Sequence, residues 1–142
     1  PAILVNADEL GLDRHELLTL ASIIQKEAGN VMEMPLISAV FHNRLKRGIA
    51  LQADPTVIYG IADFDGNLTR KHLQTPTPYN TYRKRGLPPG PIASPGQFAL
   101  RAAVNPADTK ALYFVAKGDG THEFNTTLKE HNRAVRRYQL RR

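Results

Sequence analysis

Cysteine is absent from the 142 residues of this sequence, and no apolar run reaches the about 18 residues that a membrane span needs. The first absence excludes a disulfide framework, a thiolate zinc site and a cysteine nucleophile. The N-terminus has no basic region followed by a short apolar stretch, and because the chain begins at Pro1 we expect it to be a piece of a longer protein. A composition of 42% hydrophobic and 23% charged residues predicts a folded domain with its own core.

The sequence also has no motif typical of a metal site or a phosphate-binding loop. The five histidines have no spacing typical of metal ligands, and we expect each to be structural or exposed. The segment Gly86–Gly90 contains two prolines, which cannot supply the consecutive backbone N–H donors of a phosphate cradle. The sequence therefore predicts no metal site and no phosphate-binding loop.

Positive charge is concentrated at the C-terminus. The sequence has 19 basic and 13 acidic side chains, a formal net charge of +6. Residues 131–142 contain five arginines and no acid, so the rest of the chain is nearly neutral. A solvated helix face explains this excess. The alternative is a non-catalytic module that binds nucleic acid or another anionic surface through the arginine-rich C-terminal helix.

Helical periodicity marks two segments in the first third of the chain. Asp13 and Glu16 form a capping-box pattern ahead of a helix that we expect to run from Asp13 to Ala28. A second helix is predicted from about Pro35, a favoured first position, to Gly48, with basic residues in its last turn.

Proline divides the middle of the chain. Asp54 is predicted to be the N-cap of a short helix that continues to Tyr59. Residues 75–95 form a long proline-rich stretch, and irregular loops of that length are often functional. Ser94 is predicted to cap a further helix that ends at Asn105.

The last third predicts a small β element followed by a helix. Residues 111–116 are β-prone, and a glycine-containing turn joins them to residues 121–124 as a hairpin. The final helix should span Thr127 to Leu140. Its buried face should carry Leu128, Val135 and Tyr138. These elements predict one α+β domain of several helices with a small antiparallel β element.

Glu27 is an acidic residue at a helix position where the spacing predicts an apolar one. Helical spacing places it on the apolar stripe of Leu20, Ile23 and Ile24, in the last turn of its helix. The negative end of the helix dipole and partial burial would both raise its pKa, as a general acid near neutrality requires. The alternative is an acid at the edge of the stripe that pairs with an arginine.

Two further groups are candidates for binding substrate. Gln52, Asp54 and Thr56 surround the start of the short helix, although Asp54 could serve only as its N-cap. The segment Tyr79–Tyr82 combines flat aromatic rings with the Asn80 amide, which suits the face and hydroxyls of a sugar. Tyrosines beside a proline-rich loop also commonly serve packing.

Five motifs, in the same order along the chain, resemble those of the YceG-like family, the endolytic murein transglycosylases. They are ASIIQKE at 21–27, LQADPTVIYG at 51–60, YNTY at 79–82, GLPPGPI at 86–92 and FNT at 124–126. The resemblance implies cleavage within nascent peptidoglycan strands, between N-acetylmuramic acid and N-acetylglucosamine, leaving a 1,6-anhydro-muramyl end. It identifies residues 1–142 as the catalytic domain of a longer protein.

The resemblance also implies the roles of particular residues. The catalytic glutamate of the family falls on Glu27, while an acid of the family motif is replaced by Gln25, which helical geometry turns away from Glu27. A single carboxyl acts as acid and then as base, and no metal or organic cofactor is required. Residues implied to position the glycan are Gln52, Asp54, Thr56, Tyr59, Tyr79, Asn80, Tyr82 and Asn125.

The parent protein is expected to resemble other members of the family. It would be anchored in the bacterial inner membrane by one N-terminal transmembrane helix, and a small LysM-like subdomain would precede this domain on the extracytoplasmic, periplasmic side. The expected partner is the peptidoglycan glycan strand, with peptidoglycan synthases as a further candidate and no nucleic acid.

Overall fold

A computed structural model describes residues 2–138 and shows an α+β domain with seven α-helices and one two-stranded antiparallel sheet in that range. This confirms the predicted fold class. The elements are α1 Ala2–Glu9, α2 Arg14–Glu27, a 3-10 turn Val31–Glu33, α3 Met34–Arg47, α4 Asp54–Tyr59, α5 Arg70–Gln74, α6 Gln97–Val104, β1 Tyr113–Ala116, β2 His122–Asn125 and α7 Leu128–Tyr138.

The core forms where α2 packs against α3 and α6. The capping box predicted for α2 is present: the Asp13 side chain accepts from Glu16 N–H at 2.8 Å, and the Glu16 side chain accepts from Asp13 N–H at 3.0 Å. Leu20, Ile23 and Ile24 are fully buried. This packing fixes the end of α2, and with it the position of Glu27.

Helix α3 begins and ends close to its predicted limits. Pro35 lies in its first turn, and Gly48 ends it in a left-handed conformation with φ of 67°. Ile37, Val40 and Phe41 are buried on the face that the periodicity indicated. Because α3 lies beside α2 and also contacts β1, it joins the helical core to the sheet.

Two predicted helix starts are wrong. Asp54 is the first residue of α4 and Ala53 is its N-cap, with Pro55 in the first turn, so the Asp54 side chain does not cap the helix. Helix α6 starts at Gln97 with Gly96 as N-cap, rather than at Ser94. In both cases the chain enters the helix from an extended residue that offers no capping side chain.

The predicted hairpin is present with slightly different limits. β1 pairs with β2 so that Phe114 lies opposite Phe124, and α7 packs against both strands. The predicted burial of Leu128 is wrong, since it is 54% exposed at the start of α7. Val135 and Tyr138 are partly buried, and Ala134 is the fully buried residue of this helix. The predicted end of the helix at Leu140 lies outside the described residues.

Helices α1 and α5 were not predicted. α1 packs against α6 and α2. Its sequence gives no helix-end signal, because no acidic residue lies in its first turn and no basic residue in its last. α5 has only five residues and is capped by Thr69, whose side chain accepts from His72 N–H. Across residues 2–138, no helix is both long and apolar enough to cross a membrane.

Candidate active site

A cleft of about 300 Å³ opens at the C-terminal end of α2. Four residues predicted to be functional line it, namely Glu27, Gln52, Asp54 and Tyr82. The rest of the lining consists of Val40, Arg44, Leu51, Phe114, Val115, Ala116, His122, His131 and Val135. Segments that are far apart in the sequence therefore meet around one carboxyl group.

Glu27 is partly buried and its carboxylate forms no hydrogen bond or ion pair with any residue in the described range 2–138. Burial, followed by the nearby negative charge of Asp54, raises the pKa of Glu27 to about 8. The alternative of an arginine partner is not realised. Glu27 therefore stays protonated at neutral pH, and its proton is free to be donated.

Arg44 lines the same cleft, but its guanidinium group donates to backbone carbonyls and not to Glu27. Its Nε donates to the Leu112 carbonyl at 2.7 Å, and its Nη1 donates to the Ala50 carbonyl at 2.7 Å. The guanidinium carbon also lies 5.0 Å from the centre of the Tyr113 ring. Arg44 thus ties α3 to the sheet and to the loop before α4 without neutralising Glu27.

Asp54 and Tyr82 form a hydrogen-bonded pair in the cleft. The Tyr82 hydroxyl donates to Asp54 Oδ1 at 2.5 Å. Burial, and then this hydrogen bond and the charge of Asp54, raise the pKa of Tyr82 well above its usual value. Tyr82 therefore remains a neutral donor, and Asp54 keeps one carboxylate oxygen for other contacts.

Gln52 has an exposed side chain at the cleft and an unusual backbone. Its φ of 53° lies in the left-handed region, which non-glycine residues seldom adopt. Its backbone N–H donates to the Thr81 carbonyl at 3.2 Å. The structure therefore presents this amide at the cleft through a strained turn.

Thr56 and Asn80 lie behind the cleft rather than in its lining. Both side chains are fully buried. Thr56 Oγ1 donates to the Ala53 carbonyl at 2.7 Å. Asn80 Nδ2 donates to the carbonyls of Leu73 (3.0 Å) and Thr75 (2.7 Å). These contacts support the loops that carry Asp54 and Tyr82, so a positioning role fits the two residues better than contact with glycan.

The other three predicted residues do not line the cleft. Tyr59 is 52% exposed, and its ring centre lies 4.8 Å from that of Tyr79. Asn125 is in β2, where its Nδ2 donates to Glu123 Oε2 at 3.0 Å. The structure thus does not bring Tyr59, Tyr79 and Asn125 together with Glu27.

The replaced family acid, Gln25, serves the fold. Its Oε1 accepts a hydrogen bond from Gly96 N–H, the N-cap of α6, at 2.8 Å. It does not line the cleft around Glu27. Within residues 2–138, no cluster of three histidine, aspartate or glutamate side chains could hold a metal ion.

Sequence reasoning missed the opposite wall of the cleft. His122 Nδ1 donates to Glu33 Oε1 at 2.8 Å, and His131 stacks on Tyr113 with ring centres 4.9 Å apart. Both histidines are partly buried. No local spacing could have indicated them, because β2 and α7 reach α2 only through the fold.

The arginine-rich helix α7 lies mostly at the surface. Arg133 and Arg136 are exposed, and Arg137 forms an ion pair with Glu123 at 3.0 Å. This arrangement fits a solvated helix face. Arg141 and Arg142 lie outside the described residues.

Known proteins are similar to this chain in both sequence and structure. The model of the YceG-like family matches residues 2–137. A Bacillus subtilis (strain 168) protein named endolytic murein transglycosylase is 46% identical over 124 residues, which cover 87% of this chain and 34% of that protein. A Streptococcus pneumoniae (serotype 2 strain D39) protein of the same name is 33% identical over 127 residues, 85% of this chain and 23% of that protein.

The structural comparison agrees with the sequence comparison. A crystal structure of a YceG-like protein from Listeria monocytogenes matches with a TM-score of 0.82 and 40% sequence identity, over 91% of this chain and 41% of that chain. The chain spans only about a third of the B. subtilis relative's length. By its family model, its curated relatives and its fold, this chain belongs to the YceG-like family.

Proposed function

We propose that this chain is the catalytic domain of an endolytic murein transglycosylase, a lyase that cuts nascent glycan strands between N-acetylmuramic acid and N-acetylglucosamine. One observation carries the proposal: a carboxyl group without a hydrogen-bond partner among residues 2–138, whose pKa is raised to about 8, lies in an open cleft at the end of α2. The names of the relatives support the same substrate.

The reaction needs only one carboxyl group. Protonated Glu27 donates its proton to the glycosidic oxygen while the bond from that oxygen to C1 of the muramyl sugar breaks. The sugar's own 6-hydroxyl then attacks C1, and the Glu27 carboxylate takes the hydroxyl proton. The products are a free 4-hydroxyl and a 1,6-anhydro ring, no water is consumed, and Glu27 ends protonated as it began.

Asp54 supplies negative charge without acting as a nucleophile. Its carboxylate stabilises the positive charge that develops at C1, and the same charge disfavours ionisation of Glu27 before the bond breaks. The hydrogen bond from Tyr82 holds Asp54 in one orientation. Gln52 offers an amide to the glycan from the same side of the cleft.

We extend the proposal to the whole protein. Because this chain matches only part of its longer relatives, further segments would provide a membrane anchor and a LysM-like subdomain. The catalytic domain would then lie on the extracytoplasmic side of the inner membrane, where glycan strands are made and where peptidoglycan synthases could be its partners. Selective protease accessibility of this domain from outside the membrane tests that placement.

The catalytic role of Glu27 is tested by the variant Glu27→Gln, which keeps the size of the side chain but removes its proton transfer. We expect release of anhydro-ended glycan fragments from purified peptidoglycan to fall at least about a thousandfold while the thermal transition is retained. The matched control is Glu9→Gln, because Glu9 is exposed in α1 and outside the cleft. Full activity of Glu27→Gln would overturn the proposal.

A further inference from the structure

Both backbone polar groups of Ala53 belong to a closed ring of three hydrogen bonds. Ala53 N–H donates to Thr81 Oγ1 at 2.9 Å, and Thr56 Oγ1 donates to the Ala53 carbonyl at 2.7 Å. The two hydroxyl oxygens are 2.9 Å apart. Each hydroxyl has one proton, and that of Thr56 is used on the carbonyl, so Thr81 must be the donor between them. The ring therefore has a single arrangement of its protons.

The ring joins two segments that contribute to the cleft. Gln52 and Asp54 flank Ala53, and Tyr82 follows Thr81; all three of these neighbours line the cleft. The ring residues themselves are buried, with Thr81 only 2% exposed. Displacing the ring would thus move three cleft residues at once, although no ring residue can touch a substrate.

The strained backbone of Gln52 depends on the same threonine. A non-glycine residue with a φ of 53° persists only where its surroundings enforce that conformation. Here the Thr81 carbonyl accepts from Gln52 N–H at 3.2 Å, and the Thr81 hydroxyl accepts from the next N–H along the chain. Leu51 and Ala53, the residues on either side, are buried in the core.

We propose that Thr81 is a positioning residue of the active site, which holds Gln52 in its left-handed conformation and Asp54 beside Glu27 through the hydrogen-bonded ring. This inference rests on the proposed function for its catalytic consequence, but not for its structural content. Thr81 acts through its neighbours and makes no contact with the glycan.

Three threonine variants separate positioning from general stability. Thr81→Val keeps the shape of the side chain but removes the hydroxyl, leaving Ala53 N–H without its acceptor. Thr81→Ser keeps the hydroxyl and should restore the ring. Thr19→Val is the matched control: Thr19 is equally buried and its Oγ1 donates to the His15 carbonyl at 2.8 Å, but it does not line the cleft.

The first readout is the pKa of the Glu27 carboxyl, measured by NMR titration of its side-chain carbon. The charged or titratable groups that share the cleft with Glu27 are Arg44 from α3, Asp54 from α4, Tyr82 from the proline-rich loop, His122 from β2 and His131 from α7. In Thr81→Val, Asp54 and Gln52 should become more mobile, so that water enters the cleft and the electrostatic repulsion between Asp54 and ionised Glu27 weakens. Both changes should lower the pKa of Glu27. It should return to the wild-type value in Thr81→Ser and be unchanged in Thr19→Val.

The second readout is catalysis. Misplaced cleft residues should lower kcat by at least about tenfold in Thr81→Val, with recovery in Thr81→Ser. If Thr81→Val instead keeps both the wild-type Glu27 pKa and kcat, and loses only thermal stability as Thr19→Val does, the inference is overturned.

A second pair of variants keeps the inference testable if Thr81→Val does not fold. Gln52→Gly and Gln52→Ala both remove the side chain, but glycine adopts positive φ without strain. Gln52→Gly should therefore melt at a higher temperature than Gln52→Ala, and equal melting temperatures would contradict the enforced strain. If the wild-type protein releases no anhydro products, the proposed function fails. The NMR titration of the threonine variants then still decides the role of Thr81, and the Gln52 comparison still decides whether its backbone is strained.

Discussion

Tyr82 donates a hydrogen bond to Asp54 across 28 residues of sequence, and the charge of Asp54 adds to the effect of burial in raising the pKa of Glu27. The pair joins the proline-rich loop to the first turn of α4. It holds the Asp54 carboxylate in the cleft that Glu27 also lines. The properties of Glu27 therefore depend on residues from three separate segments.

Removing the charge of Asp54 should change how activity depends on pH. In Asp54→Asn the pKa of Glu27 falls below about 8, because burial alone then opposes its ionisation. The fall of kcat/KM at alkaline pH should begin at a lower pH than in the wild type. A pH profile measured with defined glycan strands checks this. Asp63→Asn, at an exposed position outside the cleft, should leave the profile unchanged.

The raised pKa of Glu27 should lower the free energy of unfolding as the pH becomes alkaline. Its pKa is about 8 in the folded protein and 4.5 as a model value, so between these limits the folded state holds a proton that the unfolded state has released. Stability then falls as pH rises through this window. Thermal melts of Glu27→Gln and wild type should differ little at pH 4, and the variant should be increasingly more stable up to pH 8. A constant difference across that range would contradict the raised pKa.

Arg44 should be important for stability. Arg44→Met removes two hydrogen bonds to carbonyl oxygens and the contact with Tyr113. We expect a loss of about 3 kcal/mol in the free energy of unfolding, measured with urea. Arg47→Met, at an exposed position in the same last turn of α3, should change it by less than about 0.5 kcal/mol. Equal effects would show that Arg44 acts only through its charge.

Gly29 should be required for the contact between α2 and the hairpin. A Cβ atom at this position would lie 2.4 Å from the Gly120 carbonyl oxygen, which also accepts from Asn30 Nδ2 at 3.0 Å. Gly29→Ala must therefore push the turn away, with a cost of about 1–3 kcal/mol and reduced cleavage, since His122 lines the cleft just beyond. Gly90→Ala, whose nearest contact would be 3.4 Å, is the matched control in thermal melts.

The sequence predicted those elements whose signals are local. The capping box of Asp13 and Glu16 marked the start of α2, and Gly48 marked the end of α3. The same helical spacing placed Glu27 on an apolar stripe. These features could be read because each depends on residues a few positions apart.

The remaining parts of the site depend on contacts between distant segments. Arg44 is one of the basic residues predicted in the last turn of α3, but it is buried and donates to the Leu112 carbonyl, 68 residues away. Asp54 precedes a proline and is therefore predicted to be an N-cap, whereas in the structure its side chain accepts from the Tyr82 hydroxyl. Thr81 lies in the Tyr79–Tyr82 segment, but its proposed positioning role rests on a hydrogen-bonded ring that forms only in the folded chain.

The most direct test of the central claim is mass spectrometry of peptidoglycan digested in water enriched in ¹⁸O. With Glu27 as the only acid and base, the wild-type protein should release 1,6-anhydro ends, one water lighter than reducing ends and free of ¹⁸O, and Glu27→Gln should release none. Reducing ends labelled with ¹⁸O would show that water attacks C1, and would contradict the account.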